Sequence, residues 1–132
     1  MTVWDPLRKT EITATPEEQV RQWFINELRD TFRVPVHMMM SEVGFKFGRK
    51  QYRADILIYD REGNPLCIVE CKRPSVEITS CVVEQAMRYN AVLSVRFIIL
   101  TNGNNTYLYS RDGEKFVPMD HIPVYDEMVC QQ

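Results

Sequence analysis

The chain has 132 residues, 45% of them hydrophobic and 26% charged, with a formal net charge of −2. That length supports one domain, 1–132, with a core of its own, and the slightly acidic balance excludes capture of nucleic acid through an overall basic field. No run of 18 apolar residues and no signal-peptide pattern occurs, and Cys67, Cys71, Cys81 and Cys130 lack zinc-type C-x-x-C spacing, so a reduced, cytoplasmic chain with no membrane role is expected.

Residues 1–14 show no clear period and are expected to pack as an N-terminal arm or a short strand, with no function assigned. Thr15-Pro-Glu-Glu18 then announces a helix: Thr15 suits the N-cap, Pro16 the first turn, and Glu18 completes a capping box. Val20, Phe24 and Leu28 recur at helical spacing. Glu17 shares their inward face, and with Glu18 engaged at the cap it is left to point into the fold; the plainer reading is a first-turn acid favoured by the helix dipole. Pro35 ends the helix. His37 to Phe47 is expected to be the first strand of the sheet, with Met38 to Met40 as core filler and His37 structural. Gly44 to Arg53 reads as a basic, flexible loop in which Lys46, Arg49, Lys50 and Arg53 are placed to contact phosphates; a solvated hairpin turn is the alternative. No G-x-x-x-x-G-K-[ST] occurs, so the chain carries no P-loop motor.

Arg53 to Arg73 reads as two buried strands joined at Asp60-Arg-Glu-Gly-Asn-Pro65, where Gly63 and Asn64 can take positive φ. A turn centred on Glu62-Gly63 places Asp55 opposite Glu70; a slip of one residue places Lys72 opposite Asp55. Glu70 and Lys72 share a face in either case. Two carboxylates in an apolar hairpin are costly unless neutralised, and a divalent cation would neutralise them. Asp55, Glu70 and Lys72 therefore form a compact set for metal-assisted hydrolysis of a phosphodiester. A structural hairpin in which Lys72 merely neutralises the two acids is the bland alternative.

After Arg73-Pro74, Ile78 to Leu93 reads as a helix that places Gln85 and Tyr89 on one side. Val95 to Thr101 is a continuous apolar run, typical of a strand covered on both faces. Thr106 to Ser110 is the next strand, Phe116 to Pro118 a brief edge piece, and residues 120–132, with His121, a tail that no pattern assigns. The helix between the Glu70 and Phe97 strands is a crossover, so those strands are expected to run parallel.

Asp55 with Glu70-Cys71-Lys72 resembles the core of the PD-(D/E)xK nuclease superfamily, with Ala54 where its name has Pro. The wider string resembles the N-terminal nuclease domain of type I restriction enzyme R subunits through Pro16 to Gln22, Arg53 to Asp55, Ile68 to Pro74, Glu84 to Asn90 and Leu100 to Gly103. The resemblance implies a restriction-endonuclease-like α/β core, a mixed sheet of about five strands flanked by helices. It implies a DNA endonuclease that uses Mg²⁺, with Mn²⁺ as substitute. Asp55, Glu70, the main-chain carbonyl of Cys71 and Glu17 would hold the ion, and Lys72 would position the attacking water. Gln85 and Tyr89, matching a Gln-x-x-x-Tyr motif, would orient Lys72 or the phosphate backbone, while Arg73 joins the loop cations as a DNA contact. DNA and the motor or specificity subunits of a restriction system are the implied partners. A catalytically silent nucleic-acid-binding or assembly module is the alternative.

Overall fold

The computed structural model describes residues 1–90 and 94–130, with the backbone alone for Phe45, Phe47, Lys50, Tyr52, Tyr89 and Asn90. Strands β1 (Thr2–Asp5) and β2 (Thr10–Thr13) form a separate antiparallel hairpin, so of the two readings of residues 1–14 it is the strand that forms, doubled into a hairpin. The Asp5 carboxylate shapes its turn by accepting the Leu7 and Arg8 amides at 2.8 and 3.2 Å.

Helix α1 (Pro16–Asp30) starts as its sequence dictates, with the Thr15 hydroxyl accepting the Glu18 amide at 3.1 Å. The reciprocal half of the box does not form. The Thr15 amide bonds to the Thr13 carbonyl, and the Glu18 carboxylate accepts from Arg8, Arg21 and Gln22. Two guanidinium donors outweigh one neutral amide for a buried carboxylate. Beyond the last turn Arg33 takes φ 58°, and the Val34 amide reaches back to the Leu28 carbonyl at 2.8 Å, as in a Schellman stop.

The main sheet has six strands in the order β3-β4-β5-β6-β7-β8: β3 (Met39–Phe47), β4 (Lys50–Tyr59), β5 (Pro65–Cys71), β6 (Phe97–Thr101), β7 (Thr106–Asp112) and β8 (Lys115–Met119). A 3-10 turn, Val36–Met38, takes the first residues expected in β3. The sheet exceeds the expected five strands because the edge piece near Phe116 pairs fully with β7 as β8. The segment read as a flexible basic loop is instead a tight hairpin, the alternative reading of that segment. Phe47 pairs with Lys50 across Gly48-Arg49, and Gly48 takes φ 64°, so two residues suffice to turn. In the next hairpin Ile56, Leu57 and Ile58 pair with Val69, Ile68 and Cys67, the register that sets Asp55 opposite Glu70. Asp60 closes that turn by accepting the Glu62 and Asn64 amides, and Gly63 takes φ 85°. Strands β5 and β6 run parallel, as expected of a crossover, and every other ladder of the sheet is antiparallel.

Strand alternation sends the sheet's two sets of side chains to two helical layers. Val20, Phe24, Ile25 and Leu28 of α1 pack on Ile56, Ile58, Val69, Phe97 and Ile99. Each such aliphatic or aromatic side chain contributes ~1.5–3 kcal/mol of burial. Leu57, Ile68 and Ile98 face the other way, against Met87 of helix α2 (Ser80–Asn90). The last turn expected for that helix, to Leu93, lies outside the described residues. The tail that no pattern assigned carries helix α3 (Tyr125–Cys130), whose Tyr125 and Met128 join the α1 layer. The Tyr125 hydroxyl donates to the Tyr59 carbonyl at 2.7 Å. All four cysteines are free thiols.

One polar residue ties the β6–β7 turn to the loop after β5. Asn102, 3% exposed, accepts the Asn104 and Asn105 amides and donates to the Val76 carbonyl at 2.9 Å. Asn102→Ala is expected to cost about 2–4 kcal/mol, because it strands several polar groups in a buried turn. Urea denaturation measures it; a loss below ~0.5 kcal/mol would show that water replaces these bonds freely.

Candidate active site

The end of β5 opens into a cleft of about 540 Å³ lined by residues of α1, β4, β5, α2 and the segment between β5 and α2. Glu17 enters from the first turn of α1, Arg53 from β4, Glu70 from β5, Lys72 and Arg73 from the segment after it, and Gln85 from α2. Val76, Val82 and Ala86 supply apolar wall. The Lys72 backbone is fixed by its amide, which donates to the Thr101 carbonyl at 2.8 Å and so extends the β5–β6 ladder by one step.

Asp55 sits behind this cleft rather than on its lining. One of its oxygens accepts the Cys71 amide at 2.7 Å, and the other accepts Arg21 at 3.2 Å. The carboxylate thus takes the Cys71 N–H on the flank of β5 that faces β4. Burial pushes the Asp55 carboxyl above its usual 3.8; the Cys71 amide, Arg21 and Lys72 pull it back and the Glu17 charge raises it further, leaving it raised. Glu17 and Lys72 therefore lie within electrostatic reach of Asp55. The Cys71 thiol is buried and held well above its ordinary range by burial and by the charges of Asp55, Glu70 and Glu17, which leaves no thiolate to act as a ligand.

Sequence reasoning missed the residue that organises these acids. Arg21, 5% exposed, contacts Glu18 at 3.2 Å, Glu42 at 2.9 Å and Asp55 at 3.2 Å. Arg8 extends the network to Asp5, Glu18 and Glu42, and Arg53 closes it on Glu42 at 2.6 Å. Glu42 takes part from a left-handed backbone, φ 52°, a conformation that costs a non-glycine residue roughly 1–2 kcal/mol. A signal for Arg21 was present: it precedes Ile25 by one helical turn, so a cation sits on the apolar stripe of α1.

The remaining expected contacts divide. Arg53 and Arg73 reach the cleft, whereas the exposed Lys46 and Arg49 do not line it. The side chains of Lys50 and Tyr89 lie outside the described residues. Gln85 is exposed at the cleft wall.

The donor chemistry fits a hard divalent ion. Glu17, Glu70 and Asp55 offer carboxylate oxygens, and each oxygen of Asp55 retains a second lone pair. Among the described residues, however, no three His, Cys, Asp or Glu side chains stand together as a ready ligand cluster.

The network sets the acid behaviour of the fold. Burial alone pushes Asp5 up, but Arg8 and the two turn amides outweigh it and hold the carboxyl below 3.8. A lowered carboxyl contributes stability that is present above its unfolded value and lost as pH falls through the folded one. Asp5→Asn is therefore expected to be less stable than the parent at pH 7, with the gap narrowing below about pH 3.8. Asp55 has the opposite sign: raised, its ionisation weakens the fold as pH climbs above 3.8. Paired urea titrations at pH 7 and pH 3 test this; an equal gap at both would refute the Asp5 assignment.

A mixed six-stranded sheet with helices on both faces, and acids and a lysine gathered where β5 ends, is a restriction-endonuclease-like fold. Residues 16–123 match the model of the type I restriction enzyme R protein N terminus, HSDR_N, and the chain belongs to that family. Its structure is similar to the fragment of a protein assigned as the HsdR subunit of a type I restriction enzyme from Vibrio vulnificus, with a TM-score of 0.67 and 19% identity over 91% of this chain. The chain spans 26% of that protein chain. It is also similar to a protein of Anabaena variabilis assigned as a nuclease of the DUF820 group, with a TM-score of 0.56 and 11% identity, covering 94% of this chain and 79% of that one. No curated protein matches the sequence. Among the described residues no helix is long and apolar enough to cross a membrane.

Proposed function

We propose that this domain is a Mg²⁺-dependent DNA endonuclease. The observation that carries the reading is one cleft in which Glu70, Lys72, Glu17 and Gln85 meet, with Asp55 tethered to the Cys71 amide behind them. Asp55, Glu70, the Cys71 carbonyl and Glu17 would hold the ion, which would supply Lewis-acid stabilisation of charge on the phosphate and a lowered pKa of water, with Mn²⁺ as a substitute. Lys72 orients the attacking water and offsets the negative charge that develops on the scissile phosphate. Gln85 offers its amide to a phosphate oxygen, and Tyr89 is assigned the same duty by its motif. Arg53 and Arg73 at the rim, with Lys46, Arg49 and Lys50 further along the β3–β4 hairpin, bind flanking phosphates. The substrate reaches the domain through the motor or specificity partners of a restriction system. Plasmid nicking with Mg²⁺ or Mn²⁺, comparing the parent with Asp55→Ala and Lys72→Ala, tests the assignment; undiminished nicking by both variants removes it.

A second reading rests on the Arg21–Asp55 pair and the lack of a ready ligand cluster among the described residues. A chain that uses Arg21 in place of a metal ion would be a silent DNA-binding or assembly module. Gel shifts that persist in EDTA, with no cleavage under any divalent ion, favour it.

A further inference from the structure

The opposite end of β5 bears a second concavity, of about 300 Å³, lined by Pro65, Ser94, Val95, Arg96 and Arg111. Pro65 and Glu70 are five residues apart on one strand, so the two sites lie ~17 Å apart. Among the described residues, the lining of this second site carries two cations and no acid. The Arg111 amide donates to the Arg96 carbonyl at 2.9 Å, which makes the two arginines cross-strand neighbours. Like charges so placed repel, and here the geometry holds them together. Arg111 is anchored: its Nε donates to the Val95 carbonyl at 2.9 Å, and its guanidinium lies 4.6 Å from the centre of the Phe116 ring. Arg96 has a buried Nε with no hydrogen-bond partner among the described residues. A buried donor without an acceptor costs about 1–3 kcal/mol, and an anion between the two arginines would remove that cost together with the repulsion.

We propose that Arg96 and Arg111 form a second site, separate from the cleft, that binds a phosphate group. Paired guanidiniums match the oxygens of phosphate by charge and by fork geometry. A concavity of this size has room for a phosphate group, and two sources share that chemistry: free inorganic phosphate and a backbone phosphate of DNA bound to the domain. The proposal does not depend on the chemistry assigned to the cleft.

The test follows the arginine Nε–H signals by NMR, without divalent ions. One arm adds inorganic phosphate, a second adds a short DNA duplex, and a control adds sodium chloride at matched ionic strength. The expected result is a saturable shift of the Arg96 and Arg111 signals with phosphate, and at least a tenfold loss of phosphate affinity in Arg96→Gln. If the duplex moves the same two signals, and Arg96→Gln lowers the salt dependence of DNA binding by about one counterion, the backbone is the source. If only free phosphate moves them, the source is the free ion. Should Arg96→Gln not fold, Ser94→Glu at the exposed rim fills the site with its own carboxylate and is expected to abolish the phosphate shift. Signals that respond to phosphate no more than to chloride overturn the proposal.

Discussion

Lys72→Ala is expected to reduce plasmid nicking by at least ~100-fold while changing fold stability by less than ~1 kcal/mol. The magnitude follows from what the amine is asked to do. Negative charge grows on the scissile phosphate in the transition state, and a preorganised cation in a partly dry cleft stabilises that charge by ~3 kcal/mol. The Lys72 backbone is fixed by the Thr101 carbonyl, so the truncated variant keeps its main chain in place. Lys72→Arg separates position from charge: it restores the cation but not the compact ammonium, and is expected to recover only a small part of the rate. Supercoiled plasmid followed by gel electrophoresis with Mg²⁺ and with Mn²⁺, alongside thermal melting, provides both readouts. Parent-level nicking by Lys72→Ala would transfer the water-positioning role away from this residue.

Arg21→Ala is expected to have the largest effect on stability. One guanidinium touches Glu18, Glu42 and Asp55, and its removal leaves three carboxylates facing each other in a poorly solvated space. Breaking a buried ion network by deleting one partner costs about 3–5 kcal/mol, which at this chain length lowers the melting temperature by roughly 10–20 °C. Arg8 and Arg53 still reach Glu18 and Glu42, so part of the repulsion remains screened, and Asp55 should feel the loss most. Arg21→Lys keeps a charge but cannot span three acids with one planar fork, and should fall between parent and alanine. Calorimetric melting of the three proteins decides it; a shift under 2 °C for Arg21→Ala would mean the acids protonate or rehydrate without difficulty.

Much of the scaffold was legible because its determinants are local. Thr15-Pro16 fixes the start of α1 through one hydroxyl and one ring. The Asp60-to-Pro65 turn fixes the β4–β5 register, and with it the opposition of Asp55 and Glu70. The length of the crossover makes β5 and β6 parallel. Where the reading failed, a local pattern competed with something distant. Gly48 allows a two-residue turn, so a basic segment that looks like a loop is drawn into strands by pairing. Glu18 looks like half of a capping box, but Arg8 and Arg21 take its oxygens.

By itself, the sequence determined which residues could do chemistry: two acids and a lysine spaced along adjoining strands, and a glutamate at the head of the first helix. Only the tertiary structure decided how they are partnered. Asp55 meets Arg21 across 34 positions of chain, a contact made because α1 lies against β4 and β5 and Arg21 projects from its inner stripe. Arg96 and Arg111 likewise become neighbours only through the β6–β7 ladder. Charge partnerships of this kind depend on where layers pack and on what water is expelled between them, and neither is written in the spacing of residues along one strand or helix.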